Sequence, residues 1–319
     1  MTSVLPNMAA GIGTRQNEAV IADLGFADEM TQLRSEIERW IFRCDDEMRE
    51  ALEWQLLGPS KYFRPLTVFC CSRAVNGPRL CAEAIRSAFV IELFHNVSLI
   101  VDDIVDHSRH RRGKLTLHCR FGTLRALMTA GYIVAEGYHL SQDDPQAVRL
   151  LSELLQRLGV AECLQWRLRQ QPLGVEDWRR IAGEDTGSMF EVCAALGARD
   201  ERLRRFGYLL GMLYHGCDDV GDVKGLTALG GGGQEDLRDG ILTLPAALAI
   251  RDPAVAAMFR DPAAANLGRL AEAFESKLPE AEHYLDRIAA EAREEARRCA
   301  ADPAPLFALI DQTRELSNR

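Results

Sequence analysis

Two similar acidic motifs, Asp102–Asp106 and Asp218–Asp222, lie inside stretches of sequence that are otherwise apolar. At 3.6 residues per turn, the first and last aspartates of each motif occupy one face of a helix. Carboxylates four residues apart repel each other, and near a core they need compensation, which a hard divalent cation provides. A charge run usually lies on a solvated helix face, and that interpretation stays open for either motif alone. Two such motifs in apolar helices instead predict one shared magnesium site.

Helical periodicity extends over most of the remaining chain, and no stretch shows the strict alternation of a half-buried strand. The sequence therefore predicts an all-α fold with roughly ten helices. The predicted helices cover Asp28–Leu57, Tyr62–Val75, Arg79–His107, Arg120–Leu140, Pro145–Arg169, Val175–Leu196, Glu201–Val223, Leu242–Ala249, Ala264–Glu275, Ala281–Ala300 and a last stretch after Pro303.

Composition is that of a globular protein, with 47% hydrophobic and 27% charged residues. We expect a loose N-terminal extension over residues 1–13 and a single domain over residues 14–319. The net charge of −9 disfavours nonspecific binding to nucleic acid, and no apolar run reaches the length of a membrane span. The nine cysteines form no CxxC pair, which indicates reduced thiols and predicts a cytoplasmic protein. The four consecutive glycines at 230–233 predict a flexible loop.

Basic residues accompany the first acidic motif. Arg111 and Arg112 follow it by five or six residues, and we expect them near the end of the same helix. Lys61 and Arg64 lie three apart, just after Pro59. Isolated basic side chains usually serve solubility, but a cationic cluster beside an anionic metal site is what binding of polyanionic substrates requires.

Between about Gln55 and Pro245 the sequence resembles the trans-prenyltransferase (polyprenyl synthetase) family. The resemblance rests on the family's two aspartate-rich motifs, its RRGxPT element (with leucine for proline here) and its GKxTxP element. The two aspartate-rich motifs correspond to Ile91–Asp106 and Gly211–Asp222. The RRGxPT element corresponds to Arg111–His118, and the GKxTxP element corresponds to Asp239–Pro245.

The resemblance implies an all-α bundle of isoprenoid-synthase type, with a central cavity between two Asp-rich helices. It implies that magnesium, as two or three ions, assists the condensation of isopentenyl diphosphate with an allylic prenyl diphosphate, and that the protein is a homodimer. The implied metal-binding and catalytic residues are Asp102, Asp103, Asp106, Asp218, Asp219 and Asp222. The implied residues for isopentenyl diphosphate are Lys61, Arg64, His95 and Arg112, and those on the allylic side are Arg111, Thr186 and His215.

The allylic side departs from the family pattern. The family's Lys-Thr pair is Asp185-Thr186 here, and its Phe-Gln pair is Tyr214-His215. Two further lysines are replaced by Gly231 and Ile241. Three expected positive charges are therefore missing, and one of them has become negative. Whether other basic residues substitute for them stays open; the candidates are Arg180, Lys224 and Arg238.

These losses leave three hypotheses. The first is a chain-elongating prenyl diphosphate synthase with an altered allylic site. The second is a lyase on the same fold that ionises a prenyl diphosphate without using an acceptor. The third is a partner subunit without turnover. Product length is predicted as C20 or longer, because Val97 and Ser98 stand where aromatic residues block growth at C15 in the family, which leaves room toward Phe94.

Overall fold

The computed structural model describes residues 17–225, 237–263 and 265–318, and these residues are almost entirely helical. The all-α prediction is confirmed. The expected N-terminal extension and the glycines at 230–233 lie outside the described residues. The described chain divides into two compact units, residues 17–151 with 196–200, and residues 152–195 with 201–318. The assignment to a single domain stays a prediction. No described helix is both long and apolar enough to span a membrane.

The first unit opens with a helical segment at residues 17–23 and contains six further helices and one short hairpin. They are α1 (Ala27–Arg43), α2 (Asp46–Leu56), α3 (Phe63–Asn76), α4 (Ala82–Val105), β1 (His110–Arg111), β2 (Lys114–Leu115), α5 (Leu117–Phe121) and α6 (Thr123–Leu140), followed by the start of α7 (Pro145–Leu168).

The second unit contains the rest of α7 and the remaining helices, apart from the last residues of α9. They are α8 (Val175–Ala182), a π-helical turn (Gly183–Gly187), α9 (Ser188–Ala198), a 3₁₀ turn (Glu201–Leu203), α10 (Arg204–Val223), α11 (Leu244–Ala249), α12 (Pro253–Arg260), α13 (Leu267–Glu275), α14 (Leu278–Cys299), α15 (Ala304–Arg314) and a final 3₁₀ turn (Glu315–Asn318).

Helix α4 is the core of the first unit and packs against α1, α3 and α6. It is apolar on nearly every side, which is why it is buried along almost its whole length. The Phe94 ring stacks edge-on against Tyr138 of α6, with 5.5 Å between centroids. A Cβ at Gly137 would lie 2.4 Å from that ring, so a glycine is required for α6 to approach this closely.

Helix α10 has the same role in the second unit, where it packs against α14, α15 and the π-helical turn. Two glycines allow its close packing. A Cβ at Gly207 would lie 2.4 Å from the carbonyl oxygen of Phe190, and one at Gly211 would lie 2.7 Å from the Cα of Gly187. The backbone of α10 therefore lies directly on the π-helical turn, and this contact fixes the residues that the turn carries.

The prediction of one continuous helix over Asp28–Leu57 was wrong. The chain leaves the helical conformation at Cys44, whose ψ is 161°. The Asp45 side chain accepts a hydrogen bond from the backbone N–H of Glu47 at 2.9 Å and so caps a new helix. Arg49 donates to the carbonyl oxygens of Phe42 and Cys44, which would otherwise lack partners at the end of α1.

Three further predictions of secondary structure need correction. The helix expected over Val175–Leu196 is interrupted by the π-helical turn, a feature that hydrophobic periodicity does not register. Helix α12 was missed, although Asp252 caps it and a proline begins it. The hairpin was also missed, because strands of two residues are too short to show alternation.

Candidate functional site

Arg111 and Arg112 lie in the hairpin beyond α4, not near the end of the helix as expected. Arg112 and Gly113 both have positive φ values, 52° and 77°, as a type I′ turn requires. This turn directs the two arginines to different partners. Arg111 Nε donates to Asp103 Oδ1 at 2.7 Å, and Arg112 Nη1 donates to the carbonyl oxygen of Pro59 at 2.8 Å.

The three aspartates of the first motif differ in burial. Asp103 is only 2% exposed and forms the ion pair with Arg111. Burial raises the pKa of Asp103, while the Arg111 guanidinium opposes that shift. Asp102 and Asp106 are half-buried on the neighbouring face. Asp103 is therefore held by the protein itself, whereas Asp102 and Asp106 are the members of this motif that reach solvent.

Cationic side chains gather two turns further back along α4. Arg64 Nη1 lies 3.2 Å from His95 Nε2, and Arg64 is half-buried. Burial, followed by the charges of Arg64, Arg112 and Arg111, lowers the pKa of His95 well below its usual value. His95 is therefore neutral and accepts the Arg64 hydrogen bond. Lys61 is half-buried in the loop just before α3. All four residues predicted to bind isopentenyl diphosphate belong to this unit.

A buried carboxylate, Glu92, lies among these cations and is 4% exposed. Its Oε1 accepts a hydrogen bond from Ser60 Oγ at 3.2 Å. Asn96, one turn further along α4, donates to the Glu92 carbonyl oxygen and accepts from Gln55 Nε2 at 3.1 Å. Burial raises the pKa of Glu92, while Arg112 and Arg64 lower it. These bonds connect the end of α2 and the following loop to the middle of α4.

In the second motif, Asp219 is the aspartate held by protein donors. Its Oδ2 accepts hydrogen bonds from Trp178 Nε1 at 2.7 Å and from the backbone N–H of Leu244 at 2.8 Å. Burial raises its pKa, and the neighbouring His215 opposes that shift. Asp218 and Asp222 are half-buried. The middle aspartates of the two motifs thus have the same structural role in their respective units.

His215 lies between two carboxylates. Its Nδ1 is 3.6 Å from Asp185 Oδ2, and its Nε2 is 3.8 Å from Asp219 Oδ1. The Thr186 hydroxyl donates to Asp185 at 2.8 Å, so its oxygen accepts from His215 Nδ1, 3.0 Å away. Burial disfavours the charged ring, but Asp219 and Asp185 outweigh it and raise the pKa of His215 to about 9. His215 is therefore the cation that accompanies Asp185.

Among the suggested substitutes for the missing lysines, Lys224 is bound elsewhere in the second unit. Lys224 Nζ binds Glu282 at 2.5 Å and the carbonyl oxygen of Ser317 at 2.8 Å. Arg180 and Arg238 are exposed. Gly231 lies outside the described residues, and Ile241 is half-buried just before the cap of α11. The structure thus provides His215, which the resemblance had implied as an allylic-side residue in place of the family's glutamine.

The donor chemistry of both motifs fits magnesium, which takes one or two carboxylates per ion and completes its shell with water and phosphate oxygens. Within either unit, no three carboxylate, imidazole or thiolate side chains of the described residues converge into a closed metal site. The half-buried aspartates at the ends of each motif suit an ion that a substrate must help to hold. The residues present therefore fit the ion that the sequence predicts.

Several residues of the site were not predicted from the sequence. Ser60 and Trp178 carried no signal, because their partners lie 32 and 41 residues away. Glu92 lies within the matching segment Ile91–Asp106, but no role was assigned to it. The spacing of His215 and Asp219, four residues apart in a helix, was a usable signal, since such pairs face each other.

Most of the chain is similar to known proteins. The family model described as polyprenyl synthetase matches residues 45–275. Geranylgeranyl pyrophosphate synthase 4 of Arabidopsis thaliana is 29% identical over 226 residues, which cover 64% of this chain and 60% of the relative. Nonaprenyl diphosphate synthase of Mycobacterium tuberculosis is 29% identical over 222 residues, 66% of either chain. The chain thus spans less than two thirds of these relatives.

Solved structures show the fold. Heptaprenyl diphosphate synthase from Staphylococcus aureus superposes with a TM-score of 0.81 at 22% identity, covering 92% of this chain and 98% of the other. A polyprenyl synthase from Caulobacter crescentus, complexed with calcium and isoprenyl diphosphate, also gives 0.81 at 22% identity, with coverages of 96% and 98%. The all-α isoprenoid-synthase fold predicted from the sequence is confirmed.

The position of His215 between two carboxylates predicts a pH-dependent stability. Because its pKa is raised from 6.5 to about 9, its stabilising contribution is fully present below pH 6.5 and is lost as the pH rises through about 9. We expect the melting temperature to fall over this interval in the native protein and to fall less in His215→Gln. His139→Gln, at an exposed position of α6, is the matched control. Equal slopes in all three proteins would contradict the assignment.

Proposed function

Because the chain belongs to the polyprenyl synthetase family, we propose that it is a magnesium-dependent prenyl diphosphate synthase. It condenses isopentenyl diphosphate with an allylic prenyl diphosphate. The observation that carries this proposal is the cationic cluster beside the first acidic motif, where Arg64 binds a His95 kept neutral by burial and by three guanidiniums. Such a cluster suits an acceptor diphosphate. The curated relatives named above make C20 and longer products, in agreement with this function.

The six aspartates divide into two groups in this proposal. Asp102, Asp106, Asp218 and Asp222 are half-buried and would hold the magnesium ions. Asp103 and Asp219 are buried and hydrogen-bonded, and they fix the direction of the helices that carry the ligands. When bound, magnesium supplies positive charge that stabilises the leaving diphosphate. Arg111, which already neutralises Asp103, would assist in binding that diphosphate.

On the acceptor side, Lys61, Arg64 and Arg112 bind and orient the diphosphate of isopentenyl diphosphate, and His95 fixes the Arg64 guanidinium. Bond formation joins the acceptor double bond to C1 of the allylic substrate as the carbon–oxygen bond to diphosphate breaks. Loss of a proton from the acceptor completes the product, and the released diphosphate takes it. On the allylic side, His215 supplies a positive charge beside Thr186, where the family has its lysine at position 185.

The test is incubation with magnesium, isopentenyl diphosphate and C5, C10 or C15 allylic diphosphates. Longer diphosphates are expected; hydrocarbons would indicate the lyase, and absence of turnover would indicate a partner subunit. Asp102→Asn and Asp218→Asn each remove a charge that acts in the transition state, so turnover should fall by about 100-fold or more. Asp143→Asn, at an exposed position, is the matched control and should leave turnover unchanged.

Product length depends on the part of α4 that precedes Asp102. Val97 is buried, and no aromatic side chain occupies this position or Ser98. One turn earlier, Phe94 is fully buried against Tyr138 and Gly137. We propose that the growing chain passes Val97 and that the Phe94–Tyr138 contact limits it, which gives products of C20 or longer.

Two substitutions should change product length in opposite directions. Val97→Phe places a ring in the path and should shorten the main product, whereas Phe94→Ala removes the limiting ring and should lengthen it. Val97→Ile keeps the side chain aliphatic and serves as the control. Products are separated by chain length after removal of the diphosphate. An unchanged distribution in both variants, each shown to be folded by its melting curve, would contradict this path.

The homodimer predicted from the family resemblance has a candidate surface on α6. Its outer face exposes large apolar side chains at Leu124, Leu127 and Met128, the first of them 75% exposed. Gly131 and Ala135 continue the stripe one and two turns on and are also exposed. Contiguous apolar stripes of this kind are normally covered, and a two-fold axis through the small residues would bring two copies together. We propose that a second copy covers this face.

Light scattering after gel filtration tests the dimer. The double variant Leu127→Glu, Met128→Glu places two charges in the proposed interface and should halve the mass observed for the native protein. Trp166→Glu, at a side chain 52% exposed on α7, is the control and should leave the mass unchanged. A monomeric native protein would refute the proposal. The predicted cytoplasmic location rests on the cysteine pattern, and it stays a prediction.

A further inference from the structure

The loop between α2 and α3 carries Lys61 and borders open space on two sides. Pro59 and Gly58 line two separate pockets, one of which has a volume of about 340 Å³ and also includes Ser60 and Tyr62. The other pocket lies toward the hairpin and includes Arg112. A loop with open space on two sides keeps its conformation through specific hydrogen bonds rather than through packing.

Three such bonds hold this loop. Arg112 Nη1 donates to the Pro59 carbonyl oxygen at 2.8 Å, and Asn17 Nδ2 donates to the Ser60 carbonyl oxygen at 3.2 Å. The third is the bond from Ser60 Oγ to Glu92 Oε1, at 3.2 Å. Among these three, it alone joins the loop to α4, the helix that carries His95 and the first acidic motif.

The Ser60 hydroxyl also supports an unfavourable backbone conformation. It accepts a hydrogen bond from the backbone N–H of Tyr62 at 3.4 Å. Tyr62 has a φ of 54°, in the left-handed region that is unfavourable for a non-glycine residue. Lys61 lies between these two residues, so one hydroxyl fixes the backbone on both sides of it. This conformation also sets where α3 begins, and hence where Arg64 projects.

Glu92 is a buried carboxylate held by the Ser60 hydroxyl and, at 3.5 Å, by Asn96 Nδ2. It is 4% exposed, and within the described part of the chain its Oε2 has no hydrogen-bond partner. A buried carboxylate costs free energy unless it is compensated. The proposed mechanism does not use Glu92 as an acid, a base or a ligand. Its position one turn before His95, with Arg64 and Arg112 close enough to affect its ionisation, places it under the acceptor site.

We propose that Glu92, acting through the Ser60 hydroxyl, is a positioning residue that sets the Lys61 loop in place to receive the diphosphate of isopentenyl diphosphate. The inference rests on the proposed function, because it assigns Lys61 and Arg64 to the acceptor. The inference predicts that breaking the Ser60–Glu92 hydrogen bond weakens binding of isopentenyl diphosphate alone. Affinity for isopentenyl diphosphate should depend on the Ser60–Glu92 bond, whereas the allylic substrate and the maximal rate should not.

The test compares steady-state kinetics of Ser60→Ala, Ser60→Thr, Glu92→Ala and the double variant Ser60→Ala, Glu92→Ala. Loss of a hydrogen bond to a charged group should raise KM for isopentenyl diphosphate in Ser60→Ala by about 10-fold, with kcat and the allylic KM unchanged. Ser60→Thr keeps the hydroxyl and should restore the native KM. The double variant should be no worse than the more impaired single variant, because both changes break the same bond.

Ser72→Ala is the matched control, since Ser72 is buried in α3 and its hydroxyl has no hydrogen-bond partner in the described chain. An unchanged KM in Ser60→Ala, or equal changes in KM for both substrates, would overturn the inference while leaving the proposed function intact. Calorimetric titration with isopentenyl diphosphate separates the two proposals further. If the native protein shows no turnover, the proposed function fails, whereas weaker binding by Ser60→Ala still supports the positioning role.

Discussion

Neutralising buried carboxylates inside two apolar helices is the constraint on which the rest of this structure depends. Asp103 of α4 and Asp219 of α10 lie where water does not compensate them, and each is instead bound by protein donors. For Asp103 the donor is Arg111, which the hairpin turn brings back onto the helix. For Asp219 the donors are Trp178 and the backbone N–H of Leu244, the first residue of α11. Local features that seem unrelated, a type I′ turn and a helix cap, thus serve the same electrostatic need.

The charges around His215 change how the loss of the family's lysines on the allylic side is interpreted. The sequence alone shows Asp185 where the family has lysine, which suggests a site that repels diphosphate. In the structure, His215 lies between Asp185 and Asp219. Its imidazolium carries a positive charge, which the aspartate at position 185 does not. The charge of His215 therefore offsets the carboxylates of Asp185 and Asp219, which would otherwise lack this counter-charge beside Thr186. One imidazolium therefore faces two carboxylates, those of Asp185 and Asp219, where the family has a lysine ammonium group.

Much of the fold could be predicted because periodicity and proline or glycine boundaries are local signals. The core helix α4 was placed to within a few residues, since its apolar character is visible over 24 residues. The failures have local causes of another kind. The break at Cys44 depends on an aspartate cap inside a continuing apolar stripe, and the π-helical turn depends on contacts made by Gly187 with α10. Neither changes the hydrophobic pattern that predicted the helices.

The site was predictable where chemistry repeats along the chain and not where it depends on long-range partners. Paired aspartates and clustered basic residues are recognisable in the sequence by residue type and spacing. The hydrogen bond from Trp178 to Asp219 spans 41 residues and has no sequence signature. The same holds for Ser60 and Glu92, 32 residues apart. Residues proposed to bind substrate were thus easier to identify from the sequence than the residues that hold them in place.

The unsatisfied atoms of the first unit favour chain elongation over the lyase. Within the described chain, Glu92 Oε2 and His95 Nδ1 are buried and have no hydrogen-bond partner. Leaving a buried polar atom unpaired costs about 1–3 kcal/mol, and apolar residues at these positions of α4 would avoid that cost. A lyase, which ionises one prenyl diphosphate and uses no acceptor, has no need for this arrangement. An enzyme that must bind a second diphosphate through Arg64 does need it, because the same residues hold that guanidinium and its loop in place.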